Sequence, residues 1–204
     1  MGPIVQISTD RLDSLIRRES EDRRGVCIGI FHRLRSLRDG RVESGSSKRF
    51  FANVDEMLWR NFEAGALIDV RLTNEIYDRY PGEDDPVEFD LDGEAIPCFA
   101  AVVRAAANPE CPILRETQPG IIEQYIETVW GTVQISLYPG VVTSESERLV
   151  WEHPQVMQEL RYLDALLEKS WQLDDRQKRL DFERWVKTVC VGDLWAPLNT
   201  SLPR

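Results

Sequence analysis

Apolar residues at helical spacing fill the last third of the chain and constrain its fold more than any other feature. The clearest series is Val156, Leu160, Leu163, Leu167 and Trp171. Intervals of three or four residues place side chains on one face of an α-helix. Pro154 precedes this series, and a second one leads from Leu180 to Gly192. The sequence therefore predicts a helical C-terminal third.

Four shorter segments alternate apolar and polar residues, which is the pattern of a half-buried β-strand. They span residues 26–34, 66–72, 87–92 and 133–138. Together with the helical patterns they predict an α+β fold, in which a small, mainly antiparallel sheet is packed by helices.

Basic and acidic residues are distributed unevenly along the chain. Residues 1–49 hold 11 Lys/Arg and 7 Asp/Glu, a net of +4, and residues 50–204 hold 14 and 28, a net of −14. We expect a basic N-terminal helix and hairpin element at 1–49, a single acidic α+β domain at 50–195 and a loose tail at 196–204. Because the whole chain has a net charge of −10, nucleic acid is an unfavourable partner except through the basic element.

This charge asymmetry favours binding of another protein, or of other copies of the chain, through charged surfaces. Tryptophan adds to the prediction, since it concentrates binding energy at interfaces. The candidate residues are Asp84, Asp85, Glu88, Asp90, Asp92, Arg17, Arg18, Arg23, Arg24, Trp151 and Trp195. Trp171 and Trp185 fall on the apolar faces of predicted helices, so we expect them in the core.

No catalytic motif accompanies the two histidines, His32 and His153. The acidic residues at 83–94 leave a metal-dependent hydrolase open, because calcium and magnesium prefer carboxylate oxygens. The segment 88–93 resembles the first half of an EF-hand loop, but Phe99 stands where that loop needs a glutamate. Residues 40–48 have the glycine spacing of a phosphate-binding loop, but Ser46 replaces its lysine, so a flexible linker is expected. We therefore expect no catalytic residue, no metal site and no cofactor.

The compartment is predicted from cysteine usage and from the lack of apolar runs. Free thiols are expected at the four cysteines, Cys27, Cys98, Cys111 and Cys190, since a chain of 204 residues does not need disulfides. No run approaches the roughly 20 apolar residues that span a bilayer, and Met1 to Gln6 lacks a secretory pattern. These features predict a cytoplasmic protein without a membrane span.

One short motif points to regulation. Arg17 and Arg18 stand three and two residues before Ser20. A phosphate on Ser20 would be able to pair with Arg23 or Arg24.

Taken together, these patterns predict a non-enzymatic, intracellular protein–protein interaction module, which would act as an adaptor, a regulator or a structural subunit. Two alternatives remain open. One is the metal-dependent hydrolase that uses residues 83–94. The other is a self-assembling structural protein, in which the basic element of one copy contacts the acidic body of the next.

Overall fold

Helices form every regular element that the structure, a computed structural model, describes. The described residues are 11, 14–15, 17–39, 45–78, 91–107, 112–138 and 142–192, and these ranges contain no β-strand. The helices are α1 (Ser20–Asp39), α2 (Gly45–Ala64), α3 (Arg71–Tyr77), α4 (Leu91–Ala107), α5 (Pro112–Leu137), α6 (Ser144–Trp151), α7 (Pro154–Lys169) and α8 (Arg176–Gly192).

Helix α1 lies at the centre of the packing. It contacts α2, α4, α5, α7 and α8, and every residue from 22 to 34 is buried. Two glycines allow the closest approaches. A Cβ on Gly29 would lie 2.4 Å from Leu166 Cδ1, and one on Gly25 would lie 2.6 Å from Leu173 Cδ1. The helix that carries five of the 11 basic residues at positions 1–49 is thus an interior element, whereas the predicted domain boundaries stay a prediction.

The predicted α+β fold is wrong, because the described residues contain no sheet. Residues 26–34 lie inside α1, and 133–137 form the last turns of α5. Residues 66–70 are an irregular connection that leads into α3, and 91–92 open α4. The remainder of the 87–92 segment lies outside the described residues.

Burial on every side explains the error at 26–34. A helix that is surrounded by other helices has no polar face, so its apolar residues show no 3.6-residue period. A short apolar run of this kind cannot be told from a strand by periodicity alone. Gly25 lies inside α1, where the absence of a Cβ lets Leu173 pack closely against the helix.

The predicted helices of the last third are present. Thr143 caps α6 through a reciprocal capping box with Ser146. Pro154 begins α7, and α8 ends at Gly192 as predicted. Helix α7 ends at Lys169, which is two residues short of the predicted end.

None of the described helices is long and apolar enough to cross a membrane. The three cysteines that the structure describes, Cys27, Cys98 and Cys190, are buried and free, which confirms the prediction for those three. Cys111 lies outside the described residues.

Candidate protein-binding surface

Most of the basic candidate residues point into the fold. Arg18, Arg23 and Arg24 are buried, while Arg17 is exposed. Arg24 pairs with Glu21 and donates a hydrogen bond of 2.6 Å to the carbonyl of Ala66. Arg17 is therefore the member of this set that is open to a partner.

The acidic candidates cannot be placed. Asp84, Asp85, Glu88 and Asp90 lie outside the described residues, as does Trp195, and for Asp92 the structure describes only its position in α4. Within the described ranges, no group of three His, Cys, Asp or Glu side chains is arranged to hold a metal ion. A binding role for residues 83–94, and the hydrolase alternative that depends on them, stay predictions.

The remaining tryptophan candidate, Trp151, is half-buried at the end of α6. Its ring packs against that of Trp130, with 6.1 Å between the centroids. This contact covers one face of the Trp151 ring within the fold.

Both histidines have structural partners. His153 is the N-cap of α7, where its Nδ1 accepts the N–H of Gln155 at 3.3 Å, and burial lowers its pKa. His32 lies 2.7 Å from Asp55, and Arg35 donates to the same carboxylate oxygen at 3.2 Å. Because His32 and Asp55 are only 5% and 3% exposed, their pairing joins α1 to α2 and is closed to a substrate.

Among the described residues, Trp171 is the aromatic side chain that the fold leaves most exposed. It lies in the short connection between α7 and α8 and is 56% exposed. An exposure of this size is unusual for tryptophan, which is highly buried on average.

The connection that carries Trp171 is fixed by side chains from the N-terminal part of the chain. The carboxylate of Asp22 accepts the backbone N–H groups of Gln172 and Leu173 at 3.1 and 2.7 Å. Gln172 has a φ of 62°, in the left-handed region that few non-glycine residues adopt. The two hydrogen bonds that Asp22 accepts stabilise this backbone conformation.

Arg18 holds the indole ring itself. It donates a hydrogen bond of 2.7 Å to Ser170 Oγ, and its guanidinium lies 5.0 Å from the centroid of the Trp171 ring. Burial lowers the pKa of Arg18, an effect that the nearby Asp22 partly opposes. Trp171 is thus exposed on one face and supported by a cation on another.

Two clefts flank this ring. The larger has a volume of about 730 Å³ and is lined by Arg17, Arg18, Glu19, Ser20, Glu21, Asp22, Trp171, Gln172, Asp174 and Lys178. The smaller, of about 340 Å³, is lined by Lys169, Trp171, Leu173, Lys178, Asp181, Phe182 and Trp185. We call Trp171 and the residues that line these two clefts the Trp171 surface.

The charges of the Trp171 surface are mixed, and several are already paired. Lys178 lies 2.7 Å from Asp174, a contact that raises the lysine pKa and lowers that of the carboxyl group. Lys169 has no ion-pair partner among the described residues. The smaller cleft thus combines an aromatic wall with an available cation, an arrangement suited to binding a side chain.

Sequence reasoning missed Trp171 because the residue continues the apolar stripe of α7. Connections between packed helices usually span two to eight residues, and a connection of that length is compatible with a helix that includes Trp171. No local signal therefore separates Trp171 from α7.

Comparison with protein-family models, with curated proteins and with solved structures found no significant match to this chain.

Proposed function

We propose that the chain is a protein–protein interaction module whose partner binds at the Trp171 surface. The observation that supports this function is the large exposed fraction of Trp171 in a connection that Asp22 and Arg18 hold in place. Covering the exposed half of a tryptophan side chain, roughly 100 Å², contributes about 2–3 kcal/mol. Such a residue is a typical binding hot spot.

The immobile connection favours binding further. A partner that meets a pre-ordered side chain avoids the entropy loss of about 0.5–1.5 kcal/mol that fixing a mobile one would cost. The contacts of Arg18 and Asp22 order Trp171 before any partner arrives.

The smaller cleft indicates the chemistry of the partner. Leu173, Phe182 and Trp185 form its apolar lining, and Lys169 supplies a cation at its rim. We expect a protein segment that inserts an apolar side chain beside Trp171 and presents a neighbouring carboxylate to Lys169. The rest of the partner should be neutral or basic, because the chain as a whole has a net charge of −10.

The test compares the full chain with Trp171→Ala. Partners are captured from a cell lysate, identified by mass spectrometry, purified and titrated by calorimetry. Loss of a hot-spot tryptophan should weaken Kd by about 30-fold or more. Leu67→Ala is the matched control, since Leu67 is an apolar residue that is 73% exposed in a different connection; its Kd should not change.

Two results would contradict the proposal. A partner that binds Trp171→Ala as tightly as the unchanged chain would place the binding site elsewhere. Self-association in sedimentation experiments, if Trp171→Ala abolishes it, would replace the separate partner with a second copy of the chain. Unchanged thermal unfolding of the variant would show that the effect is on binding and not on folding.

A further inference from the structure

We propose that Ser20 is a phosphorylation site for an arginine-directed Ser/Thr kinase, and that its phosphate releases the connection that carries Trp171. This inference rests on the proposed function and adds a regulator of the same surface. Ser20 is the first residue of α1, is partly exposed and lines the larger cleft beside Trp171. Its hydroxyl makes no hydrogen bond among the described residues, so it is available for modification.

The residues before Ser20 provide the recognition element. Arg17, three residues before it, is exposed, and residues 17–19 lie outside any helix. Ser36 offers a comparison within the same chain, since Arg33 stands three residues before it. Ser36 lies inside α1, its hydroxyl donates to the carbonyl of His32, and Arg33 is fully buried. The two sites share the arginine spacing and differ in accessibility.

The modification is an ordinary phosphoryl transfer from ATP. The Ser20 Oγ attacks the γ-phosphorus, a new O–P bond forms, and the bond to the β-phosphate oxygen breaks. The hydroxyl proton passes to the catalytic aspartate of the kinase, and ADP leaves.

Access for the kinase and support of Trp171 depend on the same contacts. To bind the kinase in an extended conformation, residues 17–20 must move away from the fold. Arg18 then loses its hydrogen bond to Ser170 Oγ and its contact with the face of the Trp171 ring. Opening this segment therefore also frees the indole ring. A phosphate that is added in the open state biases the equilibrium towards that state.

Electrostatics favour the open state after modification. A phosphoserine adds a charge of about −1.5 to −2, and the larger cleft already contains four carboxylates against three cations. The carboxylates are those of Glu19, Glu21, Asp22 and Asp174, and the cations are Arg17, Arg18 and Lys178. The phosphate competes with Ser170 for Arg18 and repels Asp22, whose carboxylate holds the amides of Gln172 and Leu173. Both contacts that support Trp171 are weakened, so the partner should bind less tightly.

The first test uses the full chain with ATP and a purified arginine-directed kinase, and mass spectrometry locates the phosphate. We expect phosphate on Ser20 and none on Ser36, and Ser20→Ala should abolish the major signal. Ser170→Ala removes one contact of Arg18 and should speed the reaction several-fold. An unmodified Ser20, with phosphate absent or confined to other serines such as Ser14, would overturn the site. An unchanged rate in Ser170→Ala would overturn the opening step.

The second test measures amide hydrogen exchange of the phosphorylated chain by NMR. The N–H groups of Gln172 and Leu173 should exchange at least tenfold faster than in the unmodified chain, while Leu163 in α7 serves as the unchanged control. If the N–H groups of Gln172 and Leu173 exchange at the same rate in the phosphorylated and the unmodified chain, the proposed release of the connection is overturned.

Neither test needs a partner. Failure of the proposed function, seen as binding that does not depend on Trp171, is therefore distinct from failure at Ser20.

Discussion

At the scale of single residues, the pair of Arg33 and Glu159 is the most deeply buried ion pair among the described residues. Arg33 donates two hydrogen bonds to the carboxylate, of 2.8 and 2.5 Å, and Tyr125 donates a third of 2.6 Å. Burial lowers the pKa of Arg33, but the hydrogen bonds and charge of Glu159 outweigh it, so the pKa is raised overall. The charge of Arg33 therefore persists in the interior.

Glu159→Gln should cost about 3–5 kcal/mol of unfolding free energy, because it removes the carboxylate charge that pairs with Arg33 in the interior. Urea unfolding followed by circular dichroism measures the loss. The matched control is Glu152→Gln, which removes an exposed ion pair with Arg148 and should cost less than about 1 kcal/mol. Arg33→Met combined with Glu159→Met removes both charges and should be more stable than Glu159→Gln alone. If Glu159→Gln is as stable as the unchanged chain, the attraction between Glu159 and Arg33 does not offset the free-energy cost of burying the two charges.

His153 should make stability depend on pH. Burial lowers its pKa below the usual value of about 6.5, so the unfolded chain takes up a proton at a higher pH than the folded one. The contribution of His153 to the unfolding free energy is complete above pH 6.5 and is lost as the pH falls through the lowered pKa. His153→Asn keeps an N-cap that does not titrate.

Chemical unfolding at pH 7 and pH 5 measures this effect. The unchanged chain should lose more stability between the two pH values than His153→Asn does, because only the unchanged chain takes up a proton at position 153 on unfolding. Equal losses would show that protonation of His153 is not coupled to folding.

At the scale of helices, prediction succeeded where an element has one apolar face and clear terminal signals. Helix α2 ends at Ala64, and the next residue, Gly65, has a φ of +64°, which is a common stop signal for a helix. Helices α7 and α8 carry apolar stripes, with Pro154 and Gly192 as boundaries. These signals are local, so they can be read without knowing what packs against the helix.

Prediction failed where the neighbours decide the outcome. The apolar alternation in residues 26–34 arises within a helix that is covered on several sides, whereas that in residues 133–137 arises at the partly exposed end of α5. The Trp171 surface was not predicted from the sequence for a related reason. Trp171 continues an apolar stripe, and only the positions of Asp22 and Arg18, about 150 residues away in the chain, hold it outside the core.

Two glycines in helices should respond oppositely to alanine. Alanine is favoured over glycine inside a helix by about 1 kcal/mol. At Gly120 in α5 a Cβ would meet nothing within 4 Å, so Gly120→Ala should stabilise by up to that amount. At Gly29 the new Cβ would overlap buried Leu166, and overpacking of this kind costs about 1–3 kcal/mol. Gly29→Ala should therefore destabilise by up to about 2 kcal/mol.

Thermal and urea unfolding of the two variants provide the comparison. A stabilised Gly29→Ala would mean that α1 and α7 are free to move apart.

At the scale of the whole molecule, the charge asymmetry of the sequence is partly internal. In the part of the chain that the structure describes, the fold buries five arginines, Arg18, Arg23, Arg24, Arg33 and Arg38, together with the carboxylates Asp22, Asp55 and Glu159. The sequence shows where charges stand along the chain and not which side of the surface they occupy. For that reason the basic N-terminal segment could be recognised from the sequence, whereas its role in the interior could not.

The described thiols should be inert while the chain is folded. Burial raises the pKa of Cys27 to about 12 and that of Cys190 to about 11, and it also raises the pKa of Cys98. At pH 8 these thiols are almost fully protonated, and only the thiolate is the nucleophile.

Ellman's reagent tests this in Cys111→Ser, which retains these three cysteines. We expect no reaction of the three thiols in buffer and full reaction in denaturant. At intermediate denaturant concentrations, the reaction rate should follow the loss of the helical circular dichroism signal. Rapid labelling of the native chain would show that the helices around α1 open without global unfolding.

The central position of α1 has a consequence for biosynthesis. Arg33 leaves the ribosome 126 residues before its partner Glu159, which at 5–20 residues per second is a delay of roughly 6–25 s. During that interval a nascent chain displays a long apolar and cationic helix without the partners that later enclose it. Chaperones and quality-control proteases are therefore expected to meet α1 first, and a prematurely terminated chain that lacks α7 would be recognised through this helix.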